Sequence, residues 1–325
     1  MSVLISVIVP SYNRASYIGE TIESILNQSL PPAEVVIVDD GSTDQTESVL
    51  RGFGDKVRWH RIENSGPCVA RNVGAGLSTS PSIAFCDSDD LWVRDKLEKQ
   101  VALHQRSGVE CSFTNFRIVS DGAWKEQTKF DAAPPGFFDN MKRTPEGLVS
   151  SESYYDALLR FQPMFQSTLL MTRSFFDRIG GYRGELGRVL SEDWEFTLRC
   201  AQQVPIGALT DPVVGIRKHA SNASGNSYRT TRGEIQILRY ALAHHELSQH
   251  SRDLIAEEIV LRTIDAGVAA FAESNFKDCA ELLTTVPREQ LPLKEKVKLF
   301  ISSCPIPIAK SLRKMVSSVD ASGVS

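Results

Sequence analysis

The feature that most constrains this chain is an alternation, over its first 120 residues, of short β-branched runs with stretches of helical spacing. Residues 3–9 form a near-continuous apolar run, as a strand covered on both faces requires. Ile18, Ile22, Ile25 and Leu26 follow at helical spacing. Residues 35–38 repeat the buried-strand pattern, 57–62 do so more weakly, and 83–86 give a fourth strand. Helical patterns fill 44–51, 67–78 and 94–106. Such alternation predicts an α/β fold, a mostly parallel central sheet with helices on both faces.

Residues 121–150, with Pro134, Pro135, Gly136, Pro145 and Gly147, read as a long loop of the kind that serves as a functional lid. A helix near 151–160, a strand near 167–172, a helix near 174–179 and a helix from about Ser191 follow. Strands near 206–210 and 213–218 close this half. Beyond Arg229 the strand signals vanish, and Ile235, Leu238, Leu242, Leu254, Ile259, Ile264, Val268 and Phe271 predict packed helices. The expected organisation is a domain over 1–225, with halves 1–120 and 121–225, a C-terminal helical region over 226–319, and a disordered tail over 320–325.

Hydrophobic residues at 42% and charged residues at 23% exclude a disordered or disulfide-scaffold chain. A net charge of −4 offers no basic face for DNA or RNA, so no nucleic-acid partner is expected. The six cysteines lie far apart without a CxxC pair, which favours reduced, structural thiols and a cytoplasmic setting. The apolar N-terminal run lacks a basic flank and a cleavage site, and reads as a strand instead of a signal peptide. No stretch approaches the ~20 apolar residues that span a bilayer. A soluble protein, at most peripheral at the inner face of the membrane, is expected.

Four polar clusters each sit where an expected strand ends, the edge at which open α/β sheets bind ligands. Pro10-Ser11-Tyr12-Asn13-Arg14 follows the first strand; it is either a ligand contact or a turn with Ser16 as helix cap. There is no GxGxxG, so a dinucleotide fingerprint is absent. Asp39-Asp40-Gly41-Ser42 follows the second strand. Ser42 with Gln45 fits a capping box, which leaves Asp39 and Asp40 unexplained. Arg71 and Asn72 stand one turn into a helix opened by Pro67, at an end suited to an anion, though a solvated arginine fits as well. Asp87-Ser88-Asp89-Asp90 ends the fourth strand. Three carboxylates in four residues repel one another unless a cation compensates them, and strand-tip carboxylates with substrate phosphates hold magnesium or manganese. An acidic turn is the alternative.

Four segments, SVIVPSYNR (6–14), VVIVDDGSTD (35–44), NSGPCVARNVG (64–74) and IAFCDSDD (83–90), together resemble the family 2 glycosyltransferases over roughly residues 3–225. The resemblance implies the GT-A-type nucleotide-diphospho-sugar transferase fold. It identifies Asp87-Ser88-Asp89 as a DxD motif, with Asp89 on a divalent ion (Mn2+ or Mg2+) and Asp87 at the ribose or the metal. It puts Asp39 on the nucleotide base with Arg71 beside it, and Pro10, Tyr12 and Asn13 in the same nucleoside pocket. Asp40 and Ser88 fall among the nucleotide-binding candidates with them.

Farther on, Ser191-Glu192-Asp193-Trp194-Glu195 resembles the acceptor half of that family, which makes Asp193 the catalytic base and Glu192 its neighbour. Without the upstream motifs these acids would read as helix-capping. Arg217-Lys218-His219, with Asn222 and Ser224, matches a late motif whose histidine approaches the metal or the pyrophosphate. The implied reaction is metal-dependent and inverting, from a nucleotide-sugar donor, UDP-linked by default, to a hydroxyl of a glycan or lipid-linked acceptor in cell-surface or exopolysaccharide synthesis. A nucleotidyltransferase would want a glycine-rich loop after the first strand, and residues 10–14 hold no glycine. A non-catalytic module on the same scaffold would not need Asp89 and Asp193.

Overall fold

β1 (Ile5–Ser11) is buried at all seven positions, because parallel neighbours flank it and helices cover both its faces. Successive side chains alternate between those faces. Ile5, Val7 and Val9 pack with Ile18, Ile22 and Ile25 of α1 (Ile18–Leu26), whose apolar stripe recurs every three to four residues. On the other face Ile8 meets α3 (Pro67–Leu77). There a Cβ on Gly74 would collide with Ile8 and crowd Val38, so only glycine lets this helix lie so close to the sheet. Truncating Ile22 to alanine would cost about 2–5 kcal/mol, the usual range for a core isoleucine.

The structure, a computed structural model, describes residues 4–322 except 204, 221, 223 and 224. The described residues form two compact units, one running to Arg188 with Glu192–Asn222 added, the other made of Val189–Ser191 and the residues after Asn222.

In the first unit, β2 (Glu34–Asp39), α2 (Thr46–Arg51), β3 (Arg58–Arg61) and β4 (Ser82–Phe85) complete the alternating half with β1, α1 and α3. Next come β5 (Leu91–Trp92), α4 (Lys96–Ser107), β6 (Cys111–Ser120), β7 (Ala123–Thr128), β8 (Met141–Thr144) and β9 (Gly147–Ser150). The unit ends with α5 (Tyr155–Arg160), β10 (Leu170–Thr172), α6 (Arg173–Arg178), α7 (Glu192–Gln202) and β11 (Ile206–Lys218). The sheet runs β3-β2-β1-β4-β10-β6-β11-β9-β8, with β5 on β11 and β7 on β6. The α/β class and its central sheet stand as expected: β3, β2, β1 and β4 are mutually parallel, as are β6 and β11. β10 joins these two parallel sets by pairing antiparallel to both β4 and β6.

Several local expectations need correction. Residues 121–150 are not a long loop, since β7, β8 and β9 all lie within them and join the sheet. The strands expected at 206–210 and 213–218 are one strand, β11, whose register slips around Pro212, a residue with no N–H for the ladder. Ser16 does not cap α1, which starts after Tyr17 with no side-chain cap. Ser42 does not cap α2 either. The N-cap position is Gln45, with no side-chain cap, and Asp44 Oδ1 accepts from the Thr46 N–H at 2.9 Å in the turn before the helix.

The second unit is helical among the described residues: α8 (Ser227–His244), α9 (Gln249–Ala272), α10 (Phe276–Thr284), α11 (Leu293–Ser302) and α12 (Ile306–Ser322). Ile235, Ala266, Ala270, Phe271, Phe276, Cys279, Leu283 and Ile301 fill its core. Of the tail expected to be disordered, residues 320–322 continue α12, and 323–325 lie outside the described residues. Five cysteines are buried, Cys304 is half-buried, and all six are free thiols.

Candidate active site at the carboxyl edge of the sheet

Strand direction decides which residues meet. β2, β1 and β4 are parallel neighbours, so Asp39, Pro10 and Asp87 leave the sheet at one edge. Ser11 is in register with Asp39, and the Cys86 N–H donates to the Ile8 carbonyl at 3.0 Å. β10 runs the other way, so the turn that precedes it, Gln166–Thr168, arrives at that same edge. β11 points the same way as β4, with β10 and β6 between them, and its end carries Arg217 and, just beyond it, His219 to that edge too.

The first two loops lock each other. Asn13, at φ 52°, accepts from the Thr43 N–H through Oδ1 at 2.8 Å, and its own N–H donates to Ser42 Oγ at 2.9 Å. Asp40 commits both oxygens to backbone N–H groups, from Ser65 at 2.7 Å and Gly66 at 2.9 Å. Gly66 sits at φ 88° and a Cβ there would strike the Gly187 carbonyl, so the loop that Asp40 shapes admits only glycine. Asn13 and Asp40 are thus engaged in building the edge. Asp39 differs: Oδ1 accepts from the Ser42 N–H at 3.0 Å, while Oδ2, fully buried, has no hydrogen bond and lies 3.7 Å from Arg61 Nη1. Tyr12 lies open to solvent beside this edge, and Pro10 is buried in the strand.

The acidic run is compensated residue by residue. Asp87 Oδ1 accepts from Arg71 Nη2 at 2.9 Å. Asp89 Oδ2 accepts from Arg14 Nε at 3.1 Å and lies 3.0 Å from His219 Nε2. Asp90 accepts from Ser167 Oγ at 2.5 Å and from the Arg217 N–H at 3.0 Å. Burial drives the Asp90 carboxyl well above the usual carboxylate range, and Asp89 and Asp87 push it the same way. Asp90 therefore pins the loop to β11 and to the turn before β10. Ser88 is buried between its neighbours. Tyr17 stacks on the His219 ring with the centroids 4.2 Å apart, and Asn222 Nδ2 lies 3.3 Å from His219 Nε2, so the imidazole is held from two sides. Ser224 lies outside the described residues.

Among the described residues no three His, Cys, Asp or Glu side chains gather on one point that could hold an ion alone. Asp89 and His219 are brought together, while Asp87 is turned toward Arg71. Yet Asp87 Oδ2 and Asp89 Oδ1 take no hydrogen bond among the described residues. One free oxygen on each carboxylate fits an ion whose remaining ligands are diphosphate oxygens and water, the usual arrangement for magnesium at a nucleotide site.

Glu192 and Asp193 open α7, where acidic side chains meet the positive end of the helix. Arg71 Nη1 donates to Glu192 Oε1 at 3.2 Å. The Arg71 side chain is 5% exposed, and its guanidinium lies 5.3 Å from the Tyr182 ring centroid. Burial raises the Asp193 carboxyl; Arg71 pulls it back down and Asp87 adds to the rise. Burial, then the Asp193 charge, push Glu192 up to about 7 against the pull of Arg71. Arg71 bridges the acidic run and the start of α7. Arg14 and Ser167 are functional neighbours that were not singled out from sequence. Arg14 stood within a quoted motif, whereas nothing local marks Ser167.

Residues 6–165 match the model of glycosyl transferase family 2. The segment matching that family carries every candidate from Pro10 to Asp90, while Asp193 and His219 lie after it.

The curated relatives are glycosyltransferases too. TuaG of Bacillus subtilis (strain 168), named for teichuronic acid biosynthesis, is 41% identical over 45% of this chain and 60% of its own length. This chain thus spans less than two thirds of that relative. WfaP of Escherichia coli, a UDP-Glc:alpha-D-GlcNAc-diphosphoundecaprenol beta-1,3-glucosyltransferase, is 28% identical over 75% of this chain and 90% of its own. Among solved structures, S. aureus TarS 1-349 in complex with UDP-GlcNAc is 20% identical with a TM-score of 0.62, over 96% of this chain and 92% of that one. The mannosyltransferase PcManGT of Pyrobaculum calidifontis, in complex with GDP-Man and Mn2+, gives 0.53 at 20% identity, over 96% and 86%. These two likenesses establish the GT-A fold.

Proposed function

We propose that this protein is a divalent-metal-dependent, inverting glycosyltransferase. It moves a sugar from a UDP-sugar to a hydroxyl of a glycan or lipid-linked acceptor in cell-surface polysaccharide synthesis. The observation that carries this reading is Arg71, which joins Asp87 of the acidic run to Glu192 beside Asp193. Donor-side and acceptor-side machinery thereby share one buried cation. The relative WfaP, named for a UDP-glucose donor and a diphosphoundecaprenol-linked acceptor, supports the donor and acceptor classes.

Asp39, with its orphaned buried Oδ2, suits an N–H donor such as the imide of uracil, and Tyr12 offers an exposed ring beside it. Asp87 and Asp89, with His219, would hold the ion, which when bound offsets the charge of the departing diphosphate. Arg14 and Arg71 hold the two carboxylates in place, so their free oxygens stay oriented. Asp193 takes the acceptor proton as attack proceeds, a contribution of about 10²–10⁴-fold. Its raised affinity for protons suits that role better than an ordinary surface aspartate. Direct displacement inverts the anomeric centre without an intermediate on the protein.

No helix among the described residues is long and apolar enough to cross a membrane. We place the enzyme at the cytoplasmic face, as a peripheral protein meeting a membrane-anchored acceptor. The test is release of UDP from a panel of UDP-sugars with and without Mn2+. Metal-dependent release from at least one donor, lost in Asp89→Ala, is expected. Release that ignores both the metal and this substitution would refute the reading.

A further inference from the structure

We propose that the outer face of α11, with the start of α12, docks on an anionic lipid bilayer. The inference deepens the peripheral placement above and rests on that reading for its biological sense, though the surface itself stands on other observations. α11 has two apolar faces. Ile301 is buried in the core of the second unit, with Leu299 partly buried against it. Leu293, Val297 and Phe300 recur at spacings of four and three, one stripe along the helix, and all three are exposed. Leu293 is 78% exposed and Phe300 67%, values that a monomer in water reserves for single surface residues and not for a row. After the break that Pro305 imposes, Ile306 and Ile308 extend the exposed apolar surface.

Charge identifies the occupant. At a helical 100° per residue, Lys294 and Lys296 fall on opposite flanks of the α11 stripe, and Lys310 and Lys314 are exposed on α12. Between Leu293 and Met315 there are six basic residues against one acid, Glu295, which pairs with Lys298, in a chain whose net charge is −4. An apolar stripe with lysines on both sides of it is the composition of a helix that lies in an anionic interface. A protein partner would not call for cations on both flanks, and ten residues cannot span a bilayer.

The test is partition of the full chain between buffer and phosphatidylcholine vesicles, with and without about a third phosphatidylglycerol, alongside sedimentation velocity and UDP release. The wild type is expected to bind the anionic vesicles and not the neutral ones, more weakly at high salt. V297S/F300S should weaken binding by on the order of tenfold through lost apolar insertion, and K294E/K296E by about 25-fold or more, since each lysine near such a surface contributes about fivefold. UDP release in buffer should be unchanged in both. Failure of the wild type to bind, or equal binding by the variants, would overturn the proposal. So would a wild-type dimer that these substitutions dissociate without any vesicle binding. Vesicle binding without UDP release would sink the proposed function and leave the docking face standing.

Discussion

His219 holds Nε2 3.0 Å from Asp89 Oδ2, although 130 residues separate them in sequence. The pairing exists because β11 lies parallel to β4 and the two strands release their carboxyl ends at one edge. Asp89→Ala should abolish metal-dependent UDP binding while leaving the thermal unfolding midpoint nearly unchanged. His219→Ala should raise the Mn2+ concentration for half-maximal activity by about 10–100-fold, the range seen when a metal site loses a supporting group. Calorimetry of UDP with and without Mn2+ measures the first, and a Mn2+ titration of UDP release the second. Metal-dependent binding retained by the Asp89 variant would remove this residue from the site.

Asp193→Asn keeps the shape of the side chain and removes the base. Transfer should slow by about 10²–10⁴-fold while donor affinity holds, because the base acts on the acceptor. Steady-state transfer and equilibrium UDP binding separate the two quantities. Parallel loss of both would assign Asp193 to the nucleotide instead.

Arg71→Met leaves Asp87 and Glu192 without their shared partner in a poorly solvated place. Stripping one side from a buried ionic pair costs on the order of 3 kcal/mol, and the loss should appear in both donor affinity and rate. Adding Glu192→Gln should recover part of the lost stability, since the orphaned acid is then gone. Denaturant unfolding of the four proteins of this cycle provides the check; strict additivity would contradict a direct link.

Glu192 titrates near 7 in the folded chain, above its ordinary 4.5. Folding therefore takes up a proton between these values. The stability this group contributes is fully present below about 4.5 and is lost as pH rises through about 7. Glu192→Gln should flatten the decline of the unfolding midpoint from pH 5 to 7.5. An unchanged slope would show that Glu192 is ionised throughout.

Lys96 shows the opposite sign. Burial lowers its ammonium to about 7, and Nζ lies 3.7 Å from the centroid of the Trp92 ring with no hydrogen bond. Its favourable state is the neutral one, fully available above the ordinary value near 10.5 and lost as pH falls through about 7. Lys96→Met should raise the unfolding midpoint at pH 7, and the gain should shrink as pH approaches 10. A destabilised Met variant at pH 7 would mean that the ring contact outweighs desolvation.

Much of this protein was legible before folding. The buried runs that became β1, β2 and β4, the stripe of α1 and the glycine-marked loops are local patterns, and local periodicity reports which faces must be dry. The acidic and polar clusters at strand ends were legible for the same reason, since charge at the end of an apolar run has nowhere to go but the sheet edge. Short strands such as β8 and β9 were not, because four residues carry no period and their stability comes from partners far along the chain. Ser42 fitted a capping pattern yet does not cap α2, because the Asn13 N–H claims its Oγ from across the edge.

The sequence by itself determined which residue types would stand at the carboxyl edge of a mostly parallel sheet. The tertiary structure alone decided their partners: that Asp40 would be consumed by a backbone loop, that Asp89 would meet His219 and Arg14, and that Arg71 would bridge Asp87 to Glu192. Hydrogen bonds between distant segments depend on strand order and direction, and those are set by the packing of the whole unit, which no local run of residues encodes.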